Sequence, residues 1–269
     1  MNLTKILTVI LFGVSLVLGW YLYSGVENVI EERAIIESTE TAIIERLRLI
    51  REAEVLFQEQ NGRYTSSWDT LANFIETGRV PILQRREIIK QKAYGGEEVT
   101  IITDTLGFVS AKENIFKKNY SMNATDNGVF EGFKVKVGDR VIKNQKAYTI
   151  MVGNNKNEPP FQEEGTIDSL ADVKVGETIA KNKVLIYYSN YVFNRNLDLK
   201  KIGEVPGQDG LLFDIFTKKI DRNGVKVDVI EVKDPKPRNP ARRESNEQKT
   251  RKPLRFGSRV DVSTSGNWE

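Results

Sequence analysis

Few side chains in this sequence are arranged as catalysis would require. The chain contains no histidine and no cysteine, so it lacks the commonest general base, the commonest transition-metal ligand and the thiolate nucleophile. Ser-His-Asp and Cys-His catalysis are therefore excluded. Carboxylate pairs and oxygen-only metal sites remain chemically possible, but no spacing of Asp and Glu marks an acid–base pair. We therefore predict no enzymatic activity, no cofactor and no metal site.

Two segments rich in Asp and Asn begin like calcium-binding loops. They are Asp221-Arg-Asn-Gly224 and Asn123-Ala-Thr-Asp-Asn-Gly128. An EF-hand loop needs a bidentate Glu at its twelfth position, where these segments have Val232 and Lys134. We therefore interpret both segments as turns between strands.

Basic residues are concentrated near the C-terminus. Residues 233–269, the basic tail, contain ten Lys/Arg and five Asp/Glu, whereas the net charge of the whole chain is +3. Residues 233–253 hold four of the eight prolines and few apolar residues, so that they are predicted to be a solvated linker, with contact with an anionic envelope polymer or an acidic partner as the alternative. A short apolar patch follows at residues 254–262. Nucleic-acid binding is not predicted, because Phe256 is the only nearby aromatic residue. The candidate contact residues are Arg242, Arg243, Lys249, Arg251 and Lys252.

An apolar segment near the N-terminus predicts how the protein is held. Residues 6–23 carry no charge and would span about 27 Å as a helix, close to the roughly 30 Å of a hydrocarbon core. Aromatic residues cluster at its far end, where amphipathic rings favour the headgroup layer. The candidate anchor residues are Ile6, Leu11, Phe12, Leu16, Trp20, Tyr21 and Tyr23.

The charges beside this segment predict its orientation. Lys5 precedes it, whereas residues 27–33 contain three Glu and one Arg. The positive-inside rule then gives a single-pass inner-membrane protein with a cytoplasmic tail (residues 1–5), a transmembrane helix (residues 6–23) and a periplasmic bulk. A cleaved signal peptide, cut after Gly19, remains the alternative.

A second helical pattern follows directly and predicts an amphipathic stalk helix over residues 24–61. Apolar residues recur every seven positions from Val29 through Ile36 and Ile43, and Asn61-Gly62 is a helix stop. We expect residues 47–57 to pack on the protein's own sheet. Val29, Ile36 and Ile43 form a candidate surface for a partner helix, either of another envelope protein or of a second copy.

The remainder predicts an antiparallel, β-rich head over residues 62–232, so that the fold class is α+β. Hairpins are expected around Gly95-Gly96 and around Asp221-Arg-Asn-Gly224, and an internal boundary is expected near residues 153–160. Lys136-Val-Gly-Asp-Arg140 resembles Lys174-Val-Gly-Glu-Thr178. We interpret this short likeness as shared turn chemistry, with an internal repeat as the alternative.

The order of these segments resembles that of type IV pilins and pseudopilins. The resemblance covers residues 6–78 and includes Ile50-Arg-Glu-Ala-Glu-Val-Leu-Phe-Gln-Glu-Gln-Asn-Gly-Arg-Tyr-Thr65. It implies a long N-terminal helix, half in the membrane, whose second half packs on an antiparallel sheet. No Gly-Phe processing site precedes the apolar run, and Ile10 stands at its fifth position, where the family has an acid.

These features predict a structural or interaction component of a bacterial envelope assembly, in secretion, motility or cell-surface machinery. A pilin-like filament subunit is the first alternative. An envelope glycan hydrolase that uses two carboxylates is the second.

Overall fold

A computed structural model describes residues 3–91, 97–222, 224–242 and 252–269. The fold is α+β with an N-terminal helical region and an antiparallel β-rich body, as predicted. The helices are α1 (Leu3–Asn61), α2 (Trp68–Thr77) and α3 (Ala111–Phe116), and short 3-10 turns occur at Leu199–Lys201 and Pro240–Arg242.

All strand pairings in the described residues are antiparallel, within four sheets of order β1-β2, β3-β10-β8-β5, β7-β6-β4-β9 and β11-β12-β13. The strands are β1 (Arg79–Gln91), β2 (Glu97–Ser110), β3 (Lys117–Asn123), β4 (Gly128–Phe133), β5 (Arg140–Val141), β6 (Tyr148–Val152), β7 (Asn155–Asn157), β8 (Gly165–Leu170), β9 (Thr178–Ile179), β10 (Val184–Tyr191), β11 (Asp214–Arg222), β12 (Val225–Lys233) and β13 (Arg255–Gly257).

The chain forms two compact units. Unit 1 comprises Met1–Trp68 and Lys201–Glu269, and unit 2 comprises Asp69–Lys200. The bounds of these compact units differ from those of the predicted head over residues 62–232 with a boundary near 153–160. Gly153, with φ +62°, lies in the hairpin between β6 and β7 inside unit 2. The actual boundary arises because the chain after residue 200 returns to pack with α1, which no local sequence signal reveals.

In unit 1, the second half of α1 is buried as predicted. Leu47, Ile50 and Ala53 are each 0% exposed, and α1 contacts β13. The helix ends at Asn61, and Gly62 follows with φ +69° while its N–H donates to the carbonyl of Gln58 at 2.8 Å. A glycine at this position accommodates the left-handed backbone that closes the helix.

The end of the chain is part of unit 1, and the linker predicted over residues 233–253 is not fully solvated, since Asp234 is 2% exposed. β13 pairs with β12, with Phe256 opposite Val232, and Leu254 and Phe256 are 1% and 0% exposed. These two apolar side chains belong to the apolar patch that follows the predicted linker, and their burial beside the sheet stabilises the end of the chain. Residues 243–251 of the tail lie outside the described residues.

A buried carboxylate joins these two strands. Glu231 on β12 has a side chain that is 5% exposed, and it accepts hydrogen bonds from Arg255 Nη1 at 2.6 Å and Arg259 Nε at 2.7 Å. The two arginine side chains are 37% and 44% exposed. The carboxylate of Glu231 is therefore largely removed from water, whereas both guanidinium groups remain partly exposed to it.

Because Glu231 is buried and its two arginine partners are partly exposed, we expect removal of the arginines to destabilise the protein more than removal of the carboxylate. In Arg255→Met/Arg259→Met the buried Glu231 charge has no partner, and we expect a loss of about 3 kcal/mol in the free energy of unfolding. In Glu231→Leu the arginines turn to solvent, and we expect a loss of about 1 kcal/mol. Urea unfolding of the full chain measures both. Equal losses would contradict this assignment of the buried charge.

Unit 2 is built from two similar strand units that exchange their short strands. In the first unit, β4 pairs with β6 and also with β9 of the second. In the second unit, β8 pairs with β10 and also with β5 of the first. The interlocked units enclose one core, which includes Phe130, Tyr148, Ile150, Phe161, Ile167, Leu185 and Ile186.

The two similar phrases, residues 136–140 and 174–178, form equivalent turns of these units. Gly138 and Gly176 have φ values of +90° and +91°. The acid after each glycine accepts a hydrogen bond from the backbone N–H three residues earlier, at 2.8 and 3.1 Å. The interpretation as shared turn chemistry alone is therefore incomplete, because the phrases mark an internal structural duplication.

A second pair of positions supports the duplication. Asn144 and Asn182 are the two described non-glycine residues with positive φ, at +67° and +69°. Their N–H groups donate to the carbonyls of Phe161 and Ala124 at 2.9 and 2.8 Å. Asparagine tolerates the left-handed region better than most residues, which explains why both units use it at this turn.

Strands β1 and β2 form a separate two-stranded sheet, the β1–β2 ribbon, which matches the predicted hairpin. Its register pairs Arg79 with Ser110 and Gln91 with Glu97, with an irregularity after Ile82. The predicted Gly-Gly turn at residues 95–96 lies outside the described residues. At its base, the N–H of Ala111 donates to the carbonyl of Gly78 at 2.9 Å, and α3 contacts both strands.

Candidate interaction surfaces

The first part of α1 carries apolar side chains that are exposed on all sides of the helix. Leu11, Phe12 and Trp20 are 70%, 66% and 71% exposed. The other described anchor candidates, Leu16, Tyr21 and Tyr23, are also exposed, whereas the side chain of Ile6 lies outside the described part. In the part of the chain that the structure describes, no helix has the length and apolarity needed to cross a membrane.

The candidate surface for a partner helix is divided by the structure. Val29 is 48% exposed and Ile36 is half-buried, whereas Ile43 is 2% exposed. Ile43 is therefore an interior residue, and its assignment to a partner surface is wrong. Ile30, which the seven-residue pattern did not include, is 63% exposed, and Ile35, which lies in a flanking row of that pattern, is 40% exposed. The free apolar stripe of α1 thus lies before Ile43.

Among the candidate contact residues of the basic tail, Arg242 forms an ion pair within the protein. Arg242 donates from Nε and Nη2 to the two carboxylate oxygens of Glu40 on α1, at 2.7 and 3.1 Å. Asn239 Nδ2 donates to the same carboxylate at 2.7 Å. This bidentate pair, with Arg242 15% exposed, ties the tail to α1 and corrects the assignment of Arg242 as a free contact residue.

Of the other candidate contact residues in the tail, the structure describes only Lys252. Lys252 is half-buried, and its backbone carbonyl accepts a hydrogen bond from Arg242 Nη1 at 3.4 Å. Arg243, Lys249 and Arg251 lie outside the described residues. An anionic partner would therefore have to be recognised by side chains other than Arg242.

Unit 2 contains an open cleft beside α3 and the end of β10. Its volume is about 630 Å³. The guanidinium carbon of Arg195 lies 4.1 Å from the ring centre of Tyr191, a cation–π contact. Ser110 caps α3, and its Oγ accepts from the Glu113 N–H at 3.1 Å. The lining residues are Ser110, Lys112, Glu113, Phe116, Tyr191, Asn194, Arg195 and Asn196.

The lining of this cleft limits the chemistry that it can support. Among its described lining residues, Glu113 is the single carboxylate. Hydrolysis of a glycosidic bond by the usual mechanism requires two. Aromatic, amide and cationic groups on one wall are suited to binding a polar ligand rather than to acid–base chemistry.

Among the carboxyl groups of the described residues, the one with the most strongly shifted pKa lies in the interior of unit 1, away from solvent. Glu54 on α1 is 0% exposed. Burial raises its pKa to about 8, and the hydrogen bond that Oε2 accepts from the Thr65 N–H at 3.0 Å opposes this shift. Oε1 has no hydrogen-bond partner among the described atoms. Without access to a substrate, this group affects stability rather than catalysis.

Comparison with known proteins assigns no family to the chain. No family model matches it, and no curated protein matches it. In the described part of the chain, no group of three or more acidic residues could hold a metal ion. The candidate functional features are therefore the exposed apolar part of α1, the cleft beside α3 and the β1–β2 ribbon.

Proposed function

We propose that this protein is a membrane-anchored structural or interaction component of an envelope assembly, without catalysis. The observation that carries the proposal is the exposure of apolar side chains on every side of α1 between Ile10 and Tyr23. A helix that is apolar all round needs lipid or another apolar surface to cover it. The uncharged sequence of residues 6–23 is suited to lipid.

In this proposal the anchor and the folded part are joined by one helix. Residues 6–23 span the inner membrane with the N-terminus in the cytoplasm, and the remainder is periplasmic. α1 is continuous from Leu3 to Asn61, and its second half is core of unit 1. The continuity supports a role in which unit 1 is held at a fixed distance from the bilayer, with Val29 and Ile36 available to a neighbouring protein.

Two observations support a role without catalysis. The chain has no histidine or cysteine. The carboxyl group with the most strongly raised pKa in the described part, Glu54, is fully buried, whereas catalytic groups with shifted pKa values face a cleft. The carboxylate-based hydrolase is disfavoured because the described cleft beside α3 lacks the second acid.

The experiment that tests the proposal places charges in the anchor. Each arginine at the centre of a span costs about 3 kcal/mol of insertion free energy. We expect the wild-type chain to remain in the membrane pellet after an alkaline wash, and Leu11→Arg/Leu16→Arg to move to the soluble fraction.

A matched variant controls for charge on α1 in general. Glu37 and Glu45 are exposed on the same helix outside the anchor, and Glu37→Arg/Glu45→Arg should stay in the pellet. Protease added to spheroplasts should degrade the wild-type body. A body protected from protease would contradict the orientation, and a Leu11→Arg/Leu16→Arg chain that stays in the pellet would contradict the anchor.

A pilin-like filament subunit is the second candidate, favoured by the single long helix whose second half is core. It predicts sheared filaments that contain a chain shorter than the precursor. The anchored component predicts full-length chain in the membrane fraction and none in sheared material. Immunoblotting of the two fractions separates these outcomes.

A further inference from the structure

The β1–β2 ribbon has two outer edges that are unpaired among the described residues. Its strands contain 13 and 14 residues, which corresponds to roughly 44 Å at about 3.4 Å per residue. Strands in globular proteins usually contain about five or six residues. A free edge of this length presents a row of unpaired N–H and C=O groups, which is a template for another strand.

The ribbon also exposes apolar side chains along its length. Ile101, Leu106 and Phe108 are 60%, 62% and 66% exposed. Further apolar side chains that are at least 40% exposed are Ile82, Leu83, Ile88, Val99 and Ile102. An isolated two-stranded sheet is marginally stable in water. These side chains would be covered if further strands extended the sheet.

Charge identifies which strand fits each edge. The sequence of β1 contains four Arg/Lys and one Glu, whereas that of β2 contains three Asp/Glu and no Arg/Lys. Within one copy, Arg86 Nε lies 3.3 Å from Asp104 Oδ2. Like charges on neighbouring strands are destabilising. Two β1 strands or two β2 strands therefore repel each other, whereas β1 of one copy complements β2 of another.

We propose that the β1–β2 ribbon is a self-assembly element, in which β1 of one copy pairs with β2 of the next. If the copies are related by translation, every pair of neighbouring strands is antiparallel. Each basic β1 strand then lies between two acidic β2 strands. The contact is heterologous, so that assembly continues past the dimer into a ring or filament. The inference goes beyond the proposed function by naming the partner as a second copy and its surface as the ribbon edges.

The charge of the β2 edge gives the first test, on the full chain in mild detergent. Ile101 and Leu106 are exposed, so that polar residues there should leave the fold intact. Ile101→Lys/Leu106→Lys makes β2 less acidic, and we expect self-association that is roughly tenfold weaker than in the wild type, or weaker still. Ile101→Glu/Leu106→Glu removes the same apolar area but keeps the acidic edge, and should retain assembly. Sedimentation velocity over a concentration series measures both.

The second test identifies the strands in contact. The wild-type chain has no cysteine, so that Ile88→Cys on β1 and Thr100→Cys on β2 each introduce one thiol at an exposed position. In an equimolar mixture treated with a short bismaleimide, we expect dimers that join residue 88 to residue 100 to predominate. Peptide mass spectrometry distinguishes them from 88–88 and 100–100 products.

Each contrary result has a defined meaning. A wild-type chain that stays monomeric overturns the proposal, as do 88–88 dimers in amounts equal to the mixed product. Equal loss of assembly in the Lys and Glu variants would overturn the charge pairing. None of these results depends on membrane fractionation, so that failure here is distinguishable from failure of the anchor.

Discussion

Replacing Glu54 with glutamine is expected to flatten the pH dependence of stability between about pH 4.5 and pH 8. In the folded chain the pKa of Glu54 is raised to about 8 by burial, whereas an unfolded chain ionises Glu near about pH 4.3. Between these values the unfolded state releases a proton that the folded state keeps. The stabilising contribution is therefore fully present below about pH 4.3 and is lost as the pH rises towards 8.

The expected magnitude is large for a single group. One pKa unit corresponds to about 1.4 kcal/mol, so that the wild-type chain should lose about 5 kcal/mol across this range. The glutamine side chain of the variant can still accept the Thr65 N–H, but its amide N–H groups gain no partner, a cost of about 1 kcal/mol. The variant should therefore be slightly less stable than wild type at low pH and clearly more stable at the upper end of the range.

Urea unfolding midpoints measured from about pH 4.5 to about pH 8.5 test this prediction. Glu59 lies on the same helix and is exposed, so that Glu59→Gln is a control whose curve should follow that of the wild type. A wild-type midpoint that does not change with pH would contradict the buried, protonated state of Glu54. A Glu54→Gln variant that keeps the wild-type slope would assign the dependence to another group.

Gly257→Ala is expected to produce the second large effect. Gly257 has φ +80°, and a Cβ there would overlap the carbonyl oxygen of Ile230. The backbone of Gly257 is also fixed by a hydrogen bond from its N–H to the carbonyl of Ser265 at 3.0 Å. Since neither strand can move without breaking the β12–β13 pairing, we expect a loss of about 4 kcal/mol, combining backbone strain with overpacking.

A second glycine separates the two causes. Gly210 has φ +73°, and nothing lies within 4 Å of a Cβ built there. Gly210→Ala should therefore cost only the backbone term, about 1 kcal/mol. Urea unfolding of both variants gives the difference, and proteolysis of the C-terminal segment reports whether β13 detaches. Equal costs would contradict the close approach of β13 to Ile230.

Local signals in the sequence determined the helices and hairpins where the causes are themselves local. α1 ends where Asn61-Gly62 closes it, because glycine adopts the left-handed backbone at low cost. The β11–β12 hairpin follows from Asp221-Arg-Asn-Gly224, whose Asp221 Oδ1 accepts the Gly224 N–H at 2.9 Å. The fold class and the burial of residues 47–57 followed from the periodic pattern.

The interaction surfaces were only partly predictable. The exposed apolar part of α1 could be identified from the sequence, because a segment that is apolar on every side of a helix needs lipid or another apolar surface around it. The β1–β2 ribbon was predicted as a hairpin, but its isolation from every other described strand depends on which strands the rest of unit 2 uses. The cleft beside α3 combines α3 with residues after β10, and no spacing along the chain indicates that they meet.

Only the tertiary structure decided the long-range arrangement. Ile43 is buried and Arg242 is paired because the chain after residue 200 returns to α1. In the sequence, the duplication in unit 2 is visible only as two similar five-residue segments. In the structure it is clear, because β5 and β9 each pair with a strand of the other strand unit. The sequence by itself thus determined what each segment tends to form, through backbone preference and apolar periodicity. The contacts between distant segments decided what each surface faces, because a residue's burial depends on chain that approaches from elsewhere.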